Sequence, residues 1–113
     1  MKKIVLLLCA FMLINFRAFA HPPSDIKIEF DKENQTLKAV IYHPVSNRMT
    51  HYIKKVDIGL NGNEIRTLDF GEQQENVSQP IEIVIENVKP GDILSVEGYC
   101  SLSGKLKKEI KIS

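Results

Sequence analysis

Polar and apolar residues alternate with a period of two through most of the chain beyond residue 25, and no stretch carries a convincing helical period. Ile26, Ile28 and Phe30 alternate with Lys27 and Glu29, the mark of a strand with one buried face. A polar turn at Asp31-Lys32-Glu33-Asn34-Gln35 follows, and Thr36 to Tyr42 resumes as a more apolar strand, so the two read as a hairpin. Tyr52 to Leu60 is a third strand, with Val56, Ile58 and Leu60 on one face. Asn61-Gly62 supplies residues that tolerate positive φ in a tight turn, so Glu64 to Phe70 should return antiparallel. The segment 71–79 is polar and rich in turn formers, and is expected to be an exposed loop. Pro80 leads into a strand in which Ile81, Ile83 and Ile85 alternate with Glu82, Val84 and Glu86. After the turn Lys89-Pro90-Gly91-Asp92, Ile93 to Cys100 forms the next strand, and Leu106, Ile110 and Ile112 mark the last. About seven short strands with regularly spaced turns predict an all-β fold, an antiparallel sandwich of immunoglobulin-like arrangement.

The first twenty residues break this pattern. Lys2 and Lys3 form a basic start, 4–14 is an apolar run, and Ala18-Phe19-Ala20 offers a small-x-small cleavage signal before His21. The run is too short to cross a bilayer, which takes about 20 apolar residues. Residues 1–20 are therefore expected to be a cleaved secretory signal peptide and 21–113 a single small domain. The expected location is periplasmic or secreted, with no stable membrane insertion after cleavage. Cleavage leaves 12 of the 15 basic residues against 14 acidic ones, a net charge of −2. Basic residues neither predominate nor cluster, apart from Lys105, Lys107 and Lys108 on the last strand, so nucleic acid is not an expected partner.

Cysteine and histidine narrow the chemistry. After cleavage a single cysteine remains, Cys100, which cannot form an internal disulfide. A lone thiol in an oxidising compartment is a liability unless it is buried or bound. The chain's three histidines are His21, His43 and His51, the latter two bracketing a short polar loop. Loop ends held by a sheet suit metal ligands, because the scaffold sets their separation. The expected site therefore comprises His21, His43, His51 and Cys100 around one metal ion. No glycine-rich phosphate loop, serine nucleophile motif or paired carboxylate at a strand end accompanies it.

His43-Pro44, then His51-Tyr52-Ile53, then Tyr99-Cys100-Ser101-Leu102-Ser103-Gly104 resemble the iron domain of desulfoferrodoxin and of the smaller neelaredoxin-type superoxide reductases. That family has a histidine before its first strand, His-Pro at the end of the second, His-His/Tyr-Ile opening the third, and Cys-Asn-x-His-Gly before the last. His21, His43, His51 and Cys100 fall in matching order. The resemblance covers residues 21–113 and implies an immunoglobulin-like fold with a mononuclear non-haem iron site. It also implies one-electron reduction of superoxide to hydrogen peroxide, using an unidentified electron donor, and an oligomeric assembly. Neutral imidazoles with one thiolate suit iron, the thiolate pushing electron density towards an open position opposite.

The chain departs from that pattern at several places. Ser103 stands where the family has its last histidine, and the acid-lysine pair that precedes the first histidine would fall at Phe19 and Ala20. The loop from His43 to His51 is longer by about two residues, and Lys55 replaces an aromatic. Arg48 is then the loop cation available to attract superoxide. If His21 became the N-terminus, its amine and ring would chelate together, an arrangement that suits copper, and zinc is a further occupant. Two other functions follow from these departures: a non-enzymatic periplasmic copper or iron carrier, and an interaction module whose metal site has decayed.

Overall fold

In the computed structural model, residues 21–113 are described, and the expected signal peptide at 1–20 lies outside them. Seven strands follow in order: β1 (Asp25–Asp31), β2 (Thr36–Tyr42), β3 (Ile53–Leu60), β4 (Asn63–Asp69), β5 (Ser78–Val84), β6 (Ile93–Cys100) and β7 (Lys105–Lys111). They form a three-stranded sheet, β1-β2-β5, facing a four-stranded sheet, β4-β3-β6-β7. Every pairing is antiparallel. The all-β sandwich is as the alternation predicts.

Period-two patterning decides which face of each strand is buried. Leu37, Ala39 and Ile41 of β2 meet Val56 and Ile58 of β3 and Leu94 and Val96 of β6 in one apolar core. Each leucine or isoleucine fully buried there contributes roughly 1.5–3 kcal/mol. The β3–β4 hairpin turns at Asn61 and Gly62, with φ of 51° and 86°, the left-handed pair that a two-residue connection needs. Gly98, facing the core from β6, leaves room for Ile41: a Cβ there would stand 2.9 Å from Ile41 Cγ2 and 3.6 Å from Pro23 Cγ. That clearance seats the chain just after His21 against the core.

Two features depart from the sequence reading. Residues 71–79 are not simply an exposed loop, because Gln73, Ser78 and Gln79 are buried and β5 already begins at Ser78. Pro80 consequently lies inside β5, where it is tolerated because β5 is an edge strand. The second feature is a bulge at the start of β3, where the register against β6 shifts between Ile53 and Lys55. It lets Ile53 and Val56, three positions apart, both point inward with no exposure. The bulge lies two residues after His51.

Candidate metal centre

One end of the sandwich gathers all three histidines. His43 directly follows β2, His51 stands two residues before β3, and His21 lies four residues before β1. Backbone hydrogen bonds hold these ends: Ser24 N–H to Tyr42 O (2.8 Å), His43 N–H to Val77 O (2.9 Å) and His51 N–H to Asn47 O (2.9 Å). The Cys100–Gly104 turn, closed by Cys100 N–H to Gly104 O (2.9 Å), packs on Pro22. Gly104 has φ of 87°, and a Cβ there would fall 2.8 Å from Pro22 Cβ, so glycine lets the turn seat the residue beside His21.

Ring centroids lie 4.9 Å apart for His21 and His43, 5.0 Å for His21 and His51, and 4.7 Å for His43 and His51. One ring nitrogen from each lies within 4.8 Å of the other two. Three nitrogens on one ion at about 2.0–2.1 Å stand roughly 3.3–3.6 Å apart, so the rings would draw closer together to share a metal.

Hydrogen bonding decides which nitrogens remain free. His21 Nδ1 lies 3.0 Å from the Pro22 carbonyl, and His43 Nδ1 lies 2.9 Å from Gln73 Oε1. A carbonyl oxygen only accepts, so His21 carries its proton on Nδ1. His43 faces two such oxygens, Gln73 Oε1 at 2.9 Å and His21 O at 3.2 Å, and the nearer one favours the proton on Nδ1 in the neutral ring. His51 Nε2 is buried with no hydrogen-bond partner among the described residues. A buried polar atom left unpaired costs about 1–3 kcal/mol, and a metal ion would relieve it. With the His43 proton on Nδ1, its Nε2 and the His21 carbonyl oxygen, 3.2 Å apart, are both acceptors, a contact that a shared cation would relieve too.

Burial pushes His43 below the ordinary histidine value, more than the bonds to Gln73 and the His21 carbonyl raise it. His51 is lowered first by burial and then by its two histidine neighbours. Both shifts favour the neutral imidazole, the form that ligates metal.

Cys100 ends β6 at the same end of the molecule, paired with Ile53, and is buried and, among the described residues, free of any disulfide. Its neighbour Ser101 exchanges hydrogen bonds with Tyr52, next to His51 (2.8 and 3.1 Å). Cys100 Sγ accepts from Leu102 N–H at 3.4 Å. The group of ligand atoms that lie together consists of the three histidines and leaves Cys100 out.

Gln73 and Arg48 hold the site from behind. The Gln73 carboxamide, wholly buried, is a contributor that the polar pattern of its segment did not reveal. Arg48 does not act as a free loop cation: its Nη1 donates to Gln73 O at 3.0 Å and lies 3.6 Å from Glu72 Oε2. An open cleft lined by Pro44, Val45, Ser46, Asn47 and Thr50 leads to His21 and His51. Among the described residues, no lysine or arginine lines it.

No family model, no curated protein and no solved structure matches this chain.

Proposed function

We propose that the protein is an exported metal-binding protein that holds one borderline transition-metal ion through His21, His43 and His51. The observation that carries this reading is the buried His51 Nε2, without a hydrogen-bond partner among the described residues, beside two other imidazoles whose Nδ1 atoms face acceptor oxygens. Three neutral imidazoles suit copper, zinc and iron, and copper(II) binds most tightly to such a donor set. The cleft leaves the ion reachable from solvent, as a carrier or scavenger requires. The test is metal analysis of the purified protein followed by copper(II) titration. One equivalent should bind, and His43→Ala or His51→Ala should lose it. A protein that takes up no stoichiometric copper, zinc or iron would refute the reading.

A second reading is the desulfoferrodoxin-like one, in which Cys100 joins the histidines on iron and the site reduces superoxide with electrons from an unidentified donor. The position of Cys100 beside Ile53, two residues beyond His51, favours it. The engagement of Arg48 with Glu72 and Gln73 weighs against it, because that cation is paired and does not line the cleft a superoxide anion would enter. With iron bound, this reading requires a thiolate-to-metal absorption that Cys100→Ser abolishes and turnover with superoxide. Binding without either leaves the carrier reading.

A further inference from the structure

Gln73 belongs to the segment between β4 and β5, and from Gly71 to Val77 it is the one residue whose side chain is buried. Its Nε2 donates to His43 O at 2.8 Å and to Glu75 O at 2.8 Å. Its Oε1 accepts from His43 Nδ1 at 2.9 Å and from Ile53 N–H at 3.1 Å. Two carbonyls on one end of the amide and a backbone N–H on the other fix its orientation, since the reverse would oppose acceptor to acceptor and donor to donor.

We infer that Gln73 is the positioning residue of the metal centre: it fixes the proton of His43 on Nδ1, presents Nε2 to the ion, and ties the His43 and His51 loop ends together. This rests on the metal-binding reading. A ligating imidazole has its other ring nitrogen held by an outer partner that sets tautomer and ring orientation. Gln73 holds both the ring and the main-chain oxygen of His43, so neither rotation about the ring bond nor displacement of the backbone is free. Through Ile53 it reaches the bulged start of β3, two residues beyond His51. The same side chain docks its own segment, helped by Gln73 N–H to Arg48 O at 2.9 Å. Metal occupancy and docking of 71–77 are therefore linked, each favouring the other.

The experiment compares the full-length protein with Gln73→Leu and Gln73→Glu, using ring nitrogen NMR without metal and zinc titration with amide exchange. Glutamate keeps the acceptor for His43 Nδ1–H and Ile53 N–H but loses the donor to His43 O and Glu75 O; leucine keeps the bulk and removes donor and acceptor alike. In the unaltered protein His43 should carry its proton on Nδ1, and zinc should slow amide exchange across 71–77. Gln73→Leu should populate both tautomers and weaken zinc binding about 10–100-fold, while Gln73→Glu, which keeps the acceptor for His43, should retain the Nδ1 proton and bind zinc more tightly than Gln73→Leu. Circular dichroism verifies that each variant is folded. A neutral His43 protonated on Nε2, or a folded Gln73→Leu that binds zinc as tightly as the original, would overturn the assignment. If the unaltered protein binds no zinc, copper or iron, the metal reading itself fails and this role fails with it. Zinc binding with unaffected Gln73→Leu removes only the role of Gln73.

Discussion

The imidazoles of His43 and His51 meet edge to face, their centroids 4.7 Å apart at an interplanar angle of 85°. Rings this close cannot both be charged without cost, and each is depressed from the ordinary value of 6.5, first by burial. The unfolded chain therefore binds more protons than the folded one from about 6.5 down to the lowered folded values. Metal-free stability should be fully present above about pH 6.5 and fall as the pH drops through that window. Asp25, Asp31 and Asp92 are lowered from 3.8, so their contribution is lost only in stronger acid. Urea midpoints measured from about pH 7.5 to 4.5 should decline, and His51→Phe should flatten the decline. A flat profile in the original protein would contradict the neutral pair.

Metal should stabilise the fold by mass action. At a free ion concentration of about 100 times Kd the gain is roughly 2.7 kcal/mol. For a domain of this size that raises Tm by about 10–20 °C. Thermal melts with and without copper(II), followed by chelation with EDTA, check this. His43→Ala should show no copper-dependent shift.

Gly98 links the core to the site, because its missing side chain makes room for Ile41 and Pro23. Gly98→Ala places a methyl 2.9 Å from Ile41 Cγ2, and overpacking of this kind costs about 1–3 kcal/mol. It should also displace the segment carrying His21 and weaken metal binding, whereas an exposed change such as Lys107→Ala should do neither. Denaturant unfolding and metal titration of the two variants provide the comparison.

Ile53 is wholly buried at the bulge that follows the His51 loop. Ile53→Ala should cost about 2–5 kcal/mol, measurable by denaturant unfolding. Ile53→Val, which keeps the branched shape, should cost about 0.5–1.5 kcal/mol and leave metal binding unchanged.

Strands were legible in the chain because each needs only a local signal. Alternation marks Ile26–Phe30 and Ile81–Ile85, Asn61-Gly62 marks a hairpin, and Ile93 to Cys100 forms a strand with those very bounds. The three histidines could be suspected from their placement at strand ends, but their approach within 5 Å depends on three separate pairings of the sheets. Gln73 was not legible. In Glu72-Gln73-Gln74-Glu75 nothing local separates the buried amide from its exposed neighbours; what buries it is a set of partners in His43 and Ile53, far away along the chain. The bulge before Val56 was hidden for a similar reason, since its extra residue is defined only against β6.

Convergence of the three rings on a single ion is tested most directly by following histidine side-chain nitrogens during zinc titration of the uniformly nitrogen-15-labelled protein. The Nε2 resonances of His21, His43 and His51 should all shift together and stop moving at one equivalent of zinc. Saturation without movement of one of the three, or no saturable change at all, would contradict a centre built from these histidines.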